Sequence, residues 1–245
     1  HNSGFTGSAN SVAVLLKGSV TAGNLLLVAQ STFDGETLNA PVDSQGNVFN
    51  LLVTAHSSGA SVAAIYITTA KSSGPDTVTC SIGAGASDNI HCHIYEVSGT
   101  TSVVDAVGSA VQSATSVSVS TSKATTNAND YIFAYFSDDV SESTYVAGSG
   151  LGNLEQTESS SQDSAFSGDK WVTTTGIQTA TAKVSTADTL VGLIVALKNS
   201  QTVVTPTAPS CTLVVSPASG QVPLLVNANA TCTDPQNSLI STVIT

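Results

Sequence analysis

With 245 residues the chain has room for one sizeable β-domain and part of another. Its charged content of 9% and net charge of −11, carried with six Lys and no Arg, exclude the cation clusters that neutralise nucleic-acid phosphates and argue equally against an anionic membrane surface. No apolar run reaches the roughly 18–20 residues of a membrane-spanning helix, yet 41% of residues are hydrophobic and recur in strand-length runs, so low charge does not mean disorder here.

Strand signals dominate from the start. Short apolar or alternating runs rich in Val, Ile, Thr and Tyr, bounded by Gly, Asn, Asp and Ser, predict strands near 11–17, 24–33, 48–56, 61–69, 76–82 and 90–97. The series continues near 116–121, 130–137, 151–158, 164–172, 179–185 and 189–198. Turn sequences separate them, among them Thr21-Ala-Gly-Asn24, Asp43-Ser-Gln-Gly-Asn47 and Ser72-Ser-Gly-Pro75. No stretch keeps a 3.6-residue period over three turns, so helix content is expected to be minimal. Leu25–Gln30 and Leu190–Leu197 are apolar on both faces, which places them in the middle of a sandwich or under a further layer.

The two halves of residues 1–199 follow a similar pattern. Gly23–Asp34 resembles Asn129–Asp138, and each is followed by a Gly-rich turn with a strand, a polar-flanked strand, a Thr-alternating strand and a closing hydrophobic strand. The reading is an all-β, jelly-roll-like β-sandwich over 1–199, built from two related and interleaved halves. A Thr/Pro-rich linker at 200–210 leads to the N-terminal part of a second β-module at 211–245. The lack of an initiator Met and of a leader reads as a processed or trimmed chain.

The four Cys fall into two local pairs, Cys80 with Cys92 and Cys211 with Cys232, each on successive predicted strands that could lie side by side. No CxxC occurs, so zinc-ribbon and thioredoxin readings lack their motif. Two disulfides imply an oxidising, extracellular setting.

Ser216-Pro-Ala-Ser-Gly220, Val222-Pro-Leu-Leu-Val226 and Thr233-Asp-Pro235 resemble the opening of a PKD repeat, an Ig-like sandwich of secreted proteins. The match covers about the first third of such a repeat, and the later Asp/Gly-rich turn of the family is absent. The resemblance implies a spacer, adhesion or protein-interaction module. Thr21–Val28, Val42–Phe49, Ala64–Ile67, Asp76–Thr79 and Tyr95–Gly99 resemble secreted bacterial modules with jelly-roll or concanavalin-like folds. That resemblance carries no catalytic residues.

Candidate sites are sparse. His91, His93 and Tyr95 share one strand face, with Cys92, Ile94 and Glu96 on the other. Two His at i, i+2 are half of a transition-metal site that needs a third ligand such as His56; strand His residues that simply hydrogen-bond are commoner. His1 as a free terminus is half of a copper clamp of the kind seen in secreted polysaccharide oxygenases. Acidic loops follow the first strand of each half, Asp34-Gly-Glu36 and Asp138-Asp139 with Glu142; they are candidates for Ca²⁺, or else two solvated loops. Trp171 is the candidate sugar-stacking residue. Glu96 is the likeliest buried acid, but nothing in sequence pairs with it across a cleft. Asn229 opens a glycosylation sequon, and Thr205 and Thr207 in the linker are candidate O-glycan sites.

With no catalytic residues assigned, no resident cofactor beyond that calcium, and none of the GxSxG, HExxH, Walker or GxGxxG motifs, the expectation is a non-enzymatic protein. It would be a secreted or cell-surface structural or adhesive module, partnered by copies of itself or other surface proteins. The alternative is a carbohydrate-binding accessory module, and the third reading a copper or hydrolytic enzyme.

Overall fold

The computed structural model describes residues 1–33, 35–57, 61–138, 144–148, 150–158, 163–199 and 210–233. The strands of the first half are β1 (Asn2–Ala9), β2 (Ser11–Leu15), β3 (Leu25–Thr32), β4 (Val42–Asp43), β5 (Asn50–His56), β6 (Val62–Thr69), β7 (Thr77–Ser81) and β8 (Asp88–Val97). The second half contains β9 (Thr100–Ser120), β10 (Tyr131–Asp138), β11 (Tyr145–Ala147), β12 (Gly152–Glu158), β13 (Ser164–Trp171) and β14 (Thr179–Asn199). The remaining pair is β15 (Ser210–Ser216) and β16 (Asn227–Thr233). Among the described residues there is no helix, hence none long and apolar enough to cross a membrane.

Two compact units divide the chain, His1–Gln201 and Thr202–Thr245. In the first, β1-β8-β3-β6-β5 form a five-stranded antiparallel sheet, and β2-β7-β4 a small one. The second half repeats this plan with longer strands. β14 pairs through Val191–Leu197 with β10, and β10 pairs with β13 and β13 with β12, while the 179–184 end of β14 pairs with β11. β9 accompanies β14 through both layers, shifting register between Lys183 and Asp188. In the first half the same bend falls at Asn10, the single residue between β1 and β2. Gly23 (φ 90°) and Asn129 (φ 74°) hold the same left-handed position just before β3 and β10, a conformation that Gly and Asn tolerate best.

The all-β sandwich expected from the sequence is present, but its halves are not interleaved. Among the described residues no strand of 1–98 pairs with a strand of 100–199. Strand pairing is confined to each half, so what remains to be buried is one face of each large sheet. Those two faces pack on one another. Leu25, Leu27, Ala29, Ile65, Ile67 and Tyr95 meet Tyr131, Phe133, Tyr135, Leu193, Val195 and Leu197 in a central core. The opposite faces are covered by the small sheets: Leu26, Val28 and Ile94 against Val14, Val78 and Ile82 in the first half, and Ile132, Ala134 and Ile194 against Val117, Val119 and Ala180 in the second. Four layers result, and they explain why β3 and β10 are buried along their whole length.

Cys80–Cys92 and Cys211–Cys232 are both disulfides. Cys80 lies on β7 in the small sheet and Cys92 on β8 in the large one, so the first bridge joins two layers instead of neighbouring strands. Cys211 and Cys232 face one another across the β15–β16 ladder, the neighbouring-strand arrangement that the sequence suggested.

Candidate functional site

The richest cluster of titratable side chains lies inside the interface of the two large sheets, on the side where β1 and β8 face β12 and β13. Alternation along β8 turns His91, His93 and Tyr95 toward that interface, while Cys92 and Ile94 enter the outer core. Across the gap β12 presents Thr157, and β13 Ser167 and Asp169, with Asp163 just before it. His91 and His93 are both fully buried.

A continuous chain of contacts runs through the cluster. Tyr95 donates its hydroxyl to the Asn153 carbonyl at 2.6 Å and lies 2.9 Å from Ser167 Oγ. Ser167 Oγ is 2.7 Å from His93 Nδ1, and His93 Nε2 is 2.8 Å from Thr157 Oγ1. Thr157 Oγ1 is in turn 2.6 Å from His91 Nδ1. The Tyr95 proton fixes the direction of the rest. Tyr95 oxygen accepts from Ser167, Ser167 accepts from His93 Nδ1–H, His93 Nε2 accepts from Thr157, and Thr157 accepts from His91 Nδ1–H. His91 Nε2 faces Asp163 Oδ2 at 3.1 Å, as an ion pair without the alignment of a hydrogen bond. Asn89 Nδ2 donates to the other carboxylate oxygen at 3.0 Å.

His93 is held neutral: burial, and then the neighbouring His91, push its pKa well below the ordinary value. Burial raises the pKa of Tyr95, with the charges of Asp169 and Glu155 adding to the effect. At the rim, Glu155 accepts from Ser3 Oγ at 2.7 Å and pairs with Lys17 at 3.2 Å and His1 Nε2 at 3.4 Å. The His1 ring stacks on Tyr95.

In outline Thr157, His91 and Asp163 resemble a hydroxyl–imidazole–carboxylate triad. Thr157, however, is shared by two imidazoles and is only 9% exposed. A groove of about 630 Å³ lies elsewhere, on β9, β11 and β14, lined by residues including Gln112, Ser116, Ser118, Thr181 and Lys183. The network ties the two sheets together; the hydroxyl has no open face toward a substrate.

His56 lies on β5, three strands from β8 in the same sheet, or about 14 Å at the usual strand spacing, and its Nδ1 is 3.0 Å from the Ser57 carbonyl. Three of the four ring nitrogens of His91 and His93 are hydrogen-bonded to Thr157 and Ser167, and the fourth, His91 Nε2, faces Asp163. Among the described residues no three His, Cys, Asp or Glu side chains gather as metal ligands would. Asp138 is buried and accepts from the Ser164 amide at 2.9 Å; Glu36 is partly exposed. Asp34, Asp139, Glu142, Thr205 and Thr207 lie outside the described residues. Glu96 caps a loop, accepting from Thr21 N at 2.8 Å and Asn24 Nδ2 at 2.7 Å. Trp171 is half exposed and packs edge-on to Tyr131, but all five Tyr are buried. Asn229 is exposed on β16.

Sequence reading missed Thr157, Asp163 and Ser167 as partners of the His pair. Nothing in their spacing links them to β8; only sheet-on-sheet packing does.

An acid pair in the second half was also missed. Asp105 on β9 accepts from Thr126 N at 2.6 Å, Thr126 Oγ1 at 2.8 Å and Asn127 N at 2.9 Å. Burial alone would raise its pKa, but these donors outweigh it and hold the carboxyl down at about 2. Asp130 is raised to about 6, first by burial and then by Asp105, against a lowering hydrogen bond from Asn127.

The fold thus defines an all-β sandwich of two like halves with a separate disulfide-closed hairpin. No family model, curated protein or solved structure matches the chain.

Proposed function

We propose that the chain is a non-enzymatic extracellular module, structural or adhesive, that assembles with copies of itself through β-strand contacts. The observation that carries this reading is the division of its chemistry. The side chains suited to acid–base or nucleophilic work are engaged with one another inside the sheet interface, whereas the outer strands offer mainly hydroxyl and aliphatic groups. Two disulfides fit an oxidising, extracellular compartment. In this reading residues 211–245 open a PKD-like module, 1–199 belongs with jelly-roll-type secreted modules, and Ca²⁺ on the Asp34–Glu36 and Asp138–Asp139 loops is the one cofactor it accommodates.

The test is negative-stain electron microscopy of the purified chain with and without Ca²⁺. Regular filaments or sheets are expected; dispersed particles in both conditions would overturn the assembly reading. Half-exposed Trp171 favours the second reading, a carbohydrate-binding module. That reading requires retention on a polysaccharide column that Trp171→Ala abolishes, and a chain that flows through unretained would sink it.

A further inference from the structure

The fold does not require imidazoles in the sheet interface. By strand register, His91 and His93 on β8 occupy the positions that Val191 and Leu193 hold on β14. Ser31 pairs with His91 as Ser137 pairs with Val191, and Ala29 pairs with His93 as Tyr135 pairs with Leu193. Aliphatic side chains there bury apolar surface and need no partners. The two imidazoles instead put groups that can gain a proton at fully buried positions.

The cluster can offset one added positive charge and not two. His91 is walled by Phe5 and Phe33, and His93 by Tyr135, with ring centroids 4.8, 6.1 and 5.2 Å apart. Among the described residues, Asp163 is the carboxylate that touches either ring, 3.1 Å from His91 Nε2. The other titratable groups on this side of the interface are Tyr95 from β8, Tyr131 and Tyr135 from β10, Glu155 from β12 and Asp169 from β13, with His1 and Lys17 at the rim. Asp169 is engaged by Tyr131 and Asn153, and Glu155 by Ser3, Lys17 and His1. Asp88, Glu96, Asp138, Glu158 and Lys170 lie on the opposite faces of their strands, and the neighbours β1 and β3 bring Phe5 and Ser31, which carry no charge.

The hydrogen bonds have the same limit. Neutral His93 donates from Nδ1 to Ser167 and accepts at Nε2 from Thr157, whose oxygen accepts from His91. A proton on His93 Nε2 makes Thr157 the acceptor of both rings. Its own hydroxyl hydrogen is then stranded, because those two rings are the hydrogen-bond contacts of Thr157 Oγ1 among the described residues.

We propose that this cluster is an acid-released clasp between the two halves: a proton taken up by His93 breaks the hydrogen-bond order through Thr157 and parts the β1/β12 flank, while the opposite flank stays packed. That opposite flank, where β5 packs on β9 and β14, is lined by Leu52, Val53, Ala55, Val104 and Val107, whose contacts do not titrate. Burial and the neighbouring His91 hold His93 well below its ordinary pKa, so the closed flank refuses a proton that an opened one accepts below about 6.5. The clasp is therefore at full strength above about pH 6.5 and weakens as pH falls below it. This is opposite in sign to a carboxyl with a raised pKa such as Asp130.

Amide hydrogen exchange of the full chain between about pH 7 and about 4.5, corrected for its intrinsic pH dependence, reads the opening strand by strand. Protection in the edge strands β1 and β12 is expected to fall by up to roughly tenfold per pH unit below about 6.5, with β5 unchanged. In His93→Gln, whose amide donates and accepts without titrating, protection of β1 and β12 should not follow pH. Comparing this variant with wild type cancels the titration of Asp130. Protection of wild-type β1 and β12 that ignores pH, or a fall that His93→Gln retains, would overturn the clasp. An equal fall in β5 would mean loosening of the whole unit and would overturn the local opening. A misfolded variant is covered by the wild-type His93 ring signals in NMR. The ring should gain its proton together with the loss of β1 and β12 protection, and protonation while both strands stay protected would sink the proposal.

Discussion

At the level of single residues, the two halves show how one strand plan holds different chemistry. Ala29 pairs with His93 as Tyr135 pairs with Leu193, and Ala55 pairs with Ala63 as Thr157 pairs with Ala165. The His pair and Thr157 therefore occupy positions that are aliphatic in the other half, and an otherwise apolar interface is polar on one side. Loop capping diverges in the same way: Glu96 from β8 accepts the Thr21 amide, whereas Asp105 from β9 accepts the Thr126 amide. Asp130, beside Asp105, gives a pH signature. Its carboxyl keeps its proton up to about pH 6 in the folded chain, against about 3.9 when unfolded. Its stabilising contribution is full below about pH 4 and is lost as pH rises through about 6. Asp130→Asn imitates the protonated form, so the melting temperature of the variant relative to wild type should climb between pH 4 and 7. The gain, allowing for solvent screening, is on the order of 1–2 kcal/mol. A difference that stays constant with pH would remove Asp130 as its source.

Among the elements, β8 and β14 are the informative pair. Both were legible as strands because their apolar runs are strong, and so were β3 and β10. β1 and the 100–114 part of β9 were not. Their sequences, Asn2-Ser-Gly-Phe-Thr-Gly-Ser-Ala9 and Thr100–Ala114, are rich in Gly, Ser, Ala and Thr, and their extended form comes from pairing with β8 and β14. The disulfide separates the halves again. Cys80 and Cys92 join the layers of the first half, where the corresponding positions of the second are Ala182 and Gly192. A side chain at Gly192 would press on Val117, Val119 and Phe136 at 3.1–3.3 Å, so packing and the paired β9 and β14, which run through both layers, hold those layers without a bridge. A Cys80→Ala/Cys92→Ala chain is therefore expected to fold, with its urea midpoint lowered by the equivalent of about 2–4 kcal/mol. Failure to fold would show that the first half depends on its bridge as the second does not.

For the whole first unit, the shared core makes the halves one cooperative body. Leu27 and Leu193 are both fully buried in the same cluster although they come from different halves. Leu27→Ala and Leu193→Ala should each lower stability by about 2–5 kcal/mol. Each should also shift one common transition, read in parallel by circular dichroism and Tyr fluorescence. Two separated transitions would mean that the sheets hold together less tightly than their packing suggests.

The sequence by itself determined the strand-rich class, the pairing of the four Cys and the similarity of the halves. Each of these depends on local patterns: two-residue periodicity, turn chemistry and spacing. Only the tertiary structure decided that the halves pack face to face instead of interleaving, that Cys80–Cys92 crosses layers, and that His91 and His93 meet Thr157, Asp163 and Ser167. Those outcomes depend on which apolar faces bury one another. Leu25, Leu27 and Ala29 on one face of β3 and Leu26 and Val28 on the other all read as buried, and periodicity carries no information about the sheet that will cover each face.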